Sequence, residues 1–206
     1  EIKAKLVQLG FLRGTKSTTT TSKKKKNNEG NITKELADDI RDFQIEGISV
    51  GDSLLDYFSE KQILDNKKDW YEDKSYAYTS FTKIKFLETY DKLGFFYEEG
   101  DKNYKILSIS GIIFCQSNVE DCIKKQKEID QELSGLFKNA KKSKDTYRYP
   151  DNERGSGTNS KAFQIFYDFN SGDAIVIETK DWAIDSEFGD NLSVNIDTAV
   201  IQNWIK

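Results

Sequence analysis

Two apolar hairpins separated by one long amphipathic helix constrain the fold of this chain more than any other sequence feature. In the first hairpin, apolar strands are predicted at 93–98 and 104–114, on either side of a turn near Glu99, Gly100 and Asp101. A second hairpin is predicted at 162–169 and 174–179, around a turn sequence that favours positive φ. The helix between them, from 118 to 137, keeps apolar residues on one face for five turns. This order predicts an antiparallel sheet covered by helices on one side, an α+β fold.

Shorter elements complete the predicted domain. Ser117 and Glu120 form a capping box at the start of the long helix, and Asp197 is predicted to cap a last helix. Further strands are predicted at 76–81, 84–87 and 192–196, and a polar loop at 143–160.

Length and charge divide the chain into two parts. The 206 residues suffice for one domain with a small appendage. Residues 1–34 hold nine Lys and Arg against two acids, a net charge of +7, whereas the remainder holds 22 against 33, a net charge of −11. We expect a small helical module at 1–45, interrupted by a low-complexity insertion at 15–26, and an α+β domain at 46–206.

The lysine tract at 23–26 is either a solvated loop or a weak contact for an anionic polymer. Because the body of the chain is acidic and carries no aromatic-basic recognition motif, the sequence predicts no specific nucleic-acid binding. No apolar run has the length of a membrane-spanning helix, so we expect a protein that does not span a membrane. The oligomeric state stays open.

The chain contains no histidine, which excludes catalysis by an imidazole base. This exclusion matters at Ser49, inside a G-x-S-x-G sequence, and at Ser53, inside the Gly-Asp-Ser-Leu signature of a lipase and esterase family. Both chemistries need a base to accept the serine proton, so we interpret these serines as turn and helix-capping residues. With no complete catalytic set, the sequence predicts a non-enzymatic protein without a cofactor.

Acidic residues gather around Trp182. Asp181 and Asp185 flank this residue in sequence, which suits either a weak cation site or a carboxylate pair beside a sugar-stacking ring. Since two carboxylates alone can hydrolyse a glycosidic bond, a carboxylate-dependent hydrolase of cell-wall glycan is the alternative to a binding function. Trp182, Asp181 and Asp185 are therefore candidate ligand-binding residues, and no metal site is predicted.

Cys115 and Cys122 are too few for a disulfide scaffold and lack the paired spacing of a zinc site. Three states stay open: two free thiols, one reactive thiol, or a disulfide between the end of a strand and the first turn of a helix. The last state also allows an interaction domain that is regulated by this bond.

Two blocks near the N-terminus share the spacing of a known module once the insertion at 15–26 is removed. The blocks are Leu6, Leu9, Gly10, Phe11 and Gly14, followed by Ile40, Arg41, Phe43 and Gln44. They resemble the small three-helix peptidoglycan-binding domain found on many cell-wall enzymes. The resemblance implies that the module at 1–45 contacts peptidoglycan, and it makes Phe11 a candidate ligand-binding residue.

Four features of the remaining chain carry a second resemblance. They are the segments GISVGDSLLDYFSEKQI at 47–63, SGIIF at 110–114 and YDFNSGD at 167–173, and the predicted helix from Asn118 to Leu136. This part is similar to a group of exported proteins of marine alphaproteobacteria to which no activity is assigned. The resemblance implies a place in the periplasm or cell envelope. We therefore expect a non-catalytic envelope protein whose partner is peptidoglycan or another envelope protein.

Overall fold

The computed structural model describes residues 40–115 and 118–205, and this part of the chain contains ten strands and three α-helices. The helices are α1 (Glu60–Asp65), α2 (Val119–Leu136) and α3 (Ala199–Trp204), with short 3-10 helices at Ile40–Asp42, Leu54–Asp56 and Glu153–Gly155. The strands are β1 (Gln44–Ile45), β2 (Ile48–Ser49), β3 (Lys67–Lys68), β4 (Tyr76–Thr82), β5 (Lys92–Glu98), β6 (Ser108–Phe114), β7 (Lys141–Arg148), β8 (Lys161–Asp168), β9 (Ala174–Asp181) and β10 (Asn191–Asp197). None of these helices is long and apolar enough to cross a membrane.

All the strands pair in antiparallel fashion and form two sheets. β1 and β2 make a small hairpin, and the other eight strands form one sheet in the order β3-β4-β5-β6-β10-β9-β8-β7. The long helix α2 packs on this sheet over β9 and β10. The predicted α+β fold, an antiparallel sheet packed by one long helix, is confirmed.

The large sheet consists of two halves with the same order of elements. α1 precedes the meander β3 to β6, and α2 precedes the meander β7 to β10. The halves meet where β6 pairs with β10 along seven residues, from Ser108 opposite Asp197 to Phe114 opposite Asn191. Because each half contributes its last strand to this pairing, each half also leaves its first strand at an edge of the sheet.

One face of the large sheet is covered by α1 and α2 and holds the main core. Side chains alternate between the two faces along each strand, so every second residue of the central strands points toward α2. Leu93, Ile109 and Val194 from three of these strands belong to one buried cluster with Ile129 and Leu133 of α2. Burying side chains of this size contributes about 1.5–3 kcal/mol each. This cluster therefore fixes which face of the sheet stays uncovered.

Residues 40–45 pack into the same core, although the sequence places them in the N-terminal module. Ile40 and Ile45 are completely buried, and β1 pairs with β2 across the predicted boundary at 45/46. Glu46 fastens this segment, because its Oε1 accepts hydrogen bonds from three consecutive backbone N–H groups, of residues 88 to 90. The rest of the predicted module, residues 1–39 with Phe11 and the insertion at 15–26, lies outside the described residues.

Both edges of the large sheet are protected against pairing with other chains. β3 has two residues, and β7 is exposed along its whole length and carries Lys141, Lys142 and Lys144. Short and lysine-bearing edge strands resist aggregation. The prediction of a loop at 143–160 is therefore wrong for residues 143–148, which belong to β7. This strand depends on backbone pairing with β8 and buries no face, so it lacks the apolar alternation that marks a strand.

Three other local predictions are also wrong. Residues 84–87 form a turn between β4 and β5 instead of a strand. The residue before α3 is Thr198, whereas Asp197 ends β10 and turns its side chain into the protein. At α2 the N-cap is Asn118 and not the predicted Ser117, and the Asn118 side chain accepts a hydrogen bond from the backbone N of Asp121 at 3.1 Å.

The structure joins Cys115 and Cys122 in a disulfide, one of the three states that the sequence leaves open. The bond links the residue after β6 to the first turn of α2, and the two Cα atoms are 5.9 Å apart. It therefore ties the end of the first meander to the helix that covers the sheet.

Replacing both cysteines with serine is expected to lower the free energy of unfolding by about 2–3 kcal/mol, because the bond restricts the unfolded chain across a short loop. Urea unfolding of the oxidised wild type and of the Cys115→Ser/Cys122→Ser variant measures this loss. The reduced wild type serves as the control and should unfold like the variant. Equal stability of the oxidised and reduced proteins would contradict the expectation.

Candidate functional site: the open face of the sheet

The face of the large sheet that points away from α2, here called the open face, holds a cavity of about 760 Å³. This volume lies within the range of ligand-binding clefts. The cavity takes side chains from both halves of the sheet and from the loops beside β3, β7 and β9. Its lining consists of Asp69, Trp70, Tyr71, Tyr78, Lys92, Ile112, Phe114, Tyr147, Tyr149, Glu153, Ser156, Lys180, Trp182, Phe188, Gly189 and Asn191.

Eight of these sixteen residues are aromatic, and they form two walls and a central residue. The first wall consists of Trp70, Tyr71 and Tyr78, from the first half of the sheet. The second wall consists of Tyr147, Tyr149, Trp182 and Phe188, from the second half. Phe114 lies at the end of β6, the strand at which the first half of the sheet meets the second, and so between the two walls in the strand order.

Ring contacts hold each wall in place. In the first wall the Trp70 and Tyr78 rings stack with their centroids 5.0 Å apart. In the second wall Trp182 contacts Tyr149 at 4.7 Å and Phe188 at 4.8 Å between centroids. Such pairs restrict the rings before any ligand arrives, which lowers the entropy cost of binding.

Gly94 makes room for the first wall. A Cβ atom at this position would meet the ring and hydroxyl of Tyr78, so the absence of a side chain on β5 lets the tyrosine lie across the strand. Burial raises the pKa of Tyr78 to about 12. Burial likewise raises the pKa of Tyr149 in the second wall to about 12, where Lys180 lowers it and Glu178 raises it. Both phenols therefore keep their protons at neutral pH and can donate hydrogen bonds.

The walls remain accessible. Trp70, Phe114, Tyr147 and Phe188 each expose between 46% and 51% of their surface. In addition, the indole Nε1 of Trp182 is buried and has no hydrogen-bond partner within the described part of the chain. Exposed apolar patches and unpaired buried donors both cost free energy, and both are typical of binding surfaces.

Two lysines lie between the aromatic walls. Burial, together with the nearby charges of Lys68 and Lys180, lowers the pKa of Lys92. Burial alone would also lower the pKa of Lys180, but the Glu178 carboxylate, 3.0 Å from its Nζ, raises it instead. One of the two ammonium groups thus has a counterion from the protein.

The acidic residues that the sequence singles out around Trp182 support the second wall from outside the cavity lining. Asp185 accepts hydrogen bonds from the backbone N and the Oγ1 of Thr158, both at 2.9 Å, and this lowers its pKa. Asp181 pairs with Lys161 at 3.0 Å. The Asp185 contacts tie the segment after β9 to the segment before β8, and the Asp181–Lys161 pair joins the ends of the two strands. Together they support the loop that places Trp182 at the cavity.

A lowered pKa does not suit Asp185 to the role of general acid, which needs a proton at working pH. The structure thus engages both predicted carboxylates in contacts within the protein. Of the predicted ligand-binding residues, Trp182 lines the cavity, Asp181 and Asp185 support the loops, and Phe11 lies outside the described residues. Among residues 40–115 and 118–205, no three Cys, Asp or Glu side chains gather as ligands for a metal ion.

The two serine motifs have the local roles that their sequence indicates. Ser53 is the N-cap of the 3-10 helix at 54–56, where its Oγ accepts a hydrogen bond from the backbone N of Leu55 and donates one to the backbone O of Asn103. At Ser49 the backbone N donates to the Asp52 carboxylate at 3.0 Å. Both serines therefore shape the segment that leads into α1.

Sequence reasoning missed Trp70, Tyr78, Lys92 and Lys180. The signal was present for Tyr78 alone, which lies in the predicted strand at 76–81 on the face opposite to the core positions. Trp70, Lys92 and Lys180 lie outside the predicted strands. Comparison of the chain with family models, with curated proteins and with solved structures found no match.

The end of the open face beside this cavity is covered by α3. Ile201 of α3 is buried in a cluster with Tyr78 and Phe96. At the same end, the Asp197 side chain accepts hydrogen bonds from the Ser108 hydroxyl at 2.5 Å and the Gln202 amide at 2.9 Å. Burial raises the pKa of Asp197 to about 6.

Asp197→Asn is expected to be more stable relative to the wild type at pH 7 than at pH 4. The folded-state pKa lies above the ordinary 3.8, so the folded protein holds the proton more tightly than the unfolded chain. Raising the pH from about 4 through 6 therefore destabilises the wild type, by up to about 3 kcal/mol. Urea unfolding of both proteins at the two pH values measures the difference.

Asp145→Asn, at an exposed carboxylate on β7, gives the baseline for this comparison. If the stability difference between the wild type and Asp197→Asn is the same at both pH values, the Asp197 carboxyl does not have a raised pKa in the folded protein.

Proposed function

We propose that the protein is a non-catalytic binding protein of the cell envelope and that the open face of its sheet is the binding surface. Peptidoglycan is the partner we propose. The observation that carries the proposal is the aromatic cavity, because it combines half-exposed rings with a Trp182 donor that has no partner among residues 40–115 and 118–205. A stable monomer gains nothing from this combination, whereas a ligand that covers the rings would gain free energy from it.

Two further observations support an envelope location. Disulfides persist in oxidising compartments such as the periplasm and are rare in the cytosol, and the chain has one between Cys115 and Cys122. The resemblance of residues 1–45 to a peptidoglycan-binding domain adds a second region for contact with the wall. In this proposal the module and the open face bind the same polymer.

Sedimentation with purified sacculi tests the proposal. The full chain is expected to sediment, and the Trp70→Ala/Trp182→Ala variant is expected to bind roughly tenfold more weakly or worse, because each wall loses its largest ring. Leu55→Ala removes an apolar side chain of similar exposure, 44% against 51% for Trp70, outside the cavity, and should bind like the wild type.

The outcomes separate the two regions of contact. Binding that survives the double tryptophan change would contradict the open face as the surface. If about 150 mM salt also releases the protein, the lysine tract at 23–26 accounts for the binding. A full chain that stays in solution at low salt would contradict peptidoglycan as the partner.

A further inference from the structure

We infer that the open-face cavity takes a sugar chain that carries carboxylates, with a carboxylate between Lys92 and Lys180 and the faces of the sugar rings against Trp70 and Trp182. The inference rests on the proposed binding function and adds the chemical class of the ligand. The juxtaposition of an unpaired, half-buried cation with two aromatic walls carries it.

The charge of the ligand follows from Lys92. This side chain lies partly buried with its Nζ 5.7 Å from the centroid of the Trp70 ring. Within the described ranges no carboxylate lies within ion-pair distance of it, while Lys68 and Lys180 are close enough to disfavour its charge. A buried cation without a counterion costs free energy, and an anionic group on the ligand removes that cost.

The acids near the cavity leave this positive charge uncompensated. Glu178 is paired with Lys180, and Asp69, which also lines the cavity, is paired with Lys74. Glu153 lines the cavity from the 3-10 helix between β7 and β8, in the second half of the sheet, whereas Lys92 belongs to the first half. In a body that is acidic outside residues 1–34, the lysines are a local site of attraction for an anion.

The sugar character follows from the walls. A pyranose ring has an apolar face of C–H bonds, whose hydrogens are attracted to the negative face of an aromatic ring, and a rim of hydroxyl groups. The cavity offers both partners: the indoles of Trp70 and Trp182 for the faces, and the hydroxyls of Tyr78 and Tyr149 with the Asn191 amide for the rim.

The spacing of these groups suits a chain. The first wall and the second wall come from opposite halves of the sheet, and the Lys180 ammonium is close enough to interact with both Tyr78 of the first wall and Tyr149 of the second. Adjacent strands lie about 4.8 Å apart, so one monosaccharide does not reach from one wall to the other. A ligand that contacts both walls therefore has several rings in a row, with acidic groups near the middle.

Calorimetric titration of the full, oxidised chain with an oligomer of galacturonic acid, at low salt, tests the inference. The matched probe is the methyl ester of the same oligomer, which keeps the rings and removes the charge. The acid is expected to bind at least roughly tenfold more tightly than the ester, as a charge-assisted hydrogen bond to lysine provides. Lys92→Gln should remove this difference, and Lys85→Gln, an exposed lysine in the turn after β4, should keep it.

A second arm uses peptidoglycan glycan strands freed of their stem peptides, in which the lactyl carboxylates are exposed. Binding of either acidic glycan with dependence on Lys92 supports the inference, and the tighter of the two indicates the source. A glutamate-rich peptide that binds with the same dependence, while neither glycan binds, would overturn it in favour of a protein partner.

The remaining outcomes separate this inference from the proposed function. If ester and acid bind equally and the Trp70→Ala/Trp182→Ala variant loses both, the open face is a binding surface but the acidic ligand is wrong. If neither glycan binds, the inference is also overturned, and the sedimentation result alone then decides the proposed function. Circular dichroism of each variant confirms that it is folded.

Discussion

The antiparallel pairing of β6 with β10 is the interaction on which the rest of the structure depends. Each half of the sheet is a four-stranded meander with its own preceding helix. If either half stood alone, its last strand, β6 or β10, would be an unpaired edge of seven residues. When the two last strands pair, the backbone N–H and C=O groups along seven residues of each strand gain partners, and both strands contribute to one shared core. The edges that remain are the two-residue β3 and the lysine-bearing β7, which are poor templates for aggregation.

The same pairing creates the cavity. It brings Lys92 of the first half and Lys180 of the second half onto one surface, between aromatic walls that come from different halves. Because α1 and α2 cover the opposite face, the side chains of the open face are not needed for the main core. Those that line the cavity are mostly polar, charged or aromatic, and α3 covers one end of the surface with Ile201. The disulfide supports this arrangement from the other side, since it ties the end of β6 to α2.

Much of the fold could be predicted because it depends on local periodicity. The hairpins and the long helix follow from alternation and from helical spacing, and the structure has them close to the expected residues. The failures have a common cause. β7 buries no side chains, so it shows no alternation, and Asp197 has the composition of a helix cap but bonds to Ser108 and Gln202 instead. For β7 the pairing with β8, and for Asp197 the Ser108 hydroxyl 89 residues away, override the local pattern.

The candidate site could also be predicted only in part from local sequence. Trp182 could be found because acidic residues surround it in sequence, yet those acids bond to Lys161 and Thr158 and support the loops. By itself the sequence determined the α+β class, the length of α2 and the exclusion of imidazole catalysis, since these follow from periodicity and composition. The tertiary structure alone decided that the two halves join at β6 and β10, and that lysines and aromatic rings some ninety residues apart share one cavity. The physical reason is that strand pairing between the halves is a long-range contact, and no local pattern specifies which strands become neighbours.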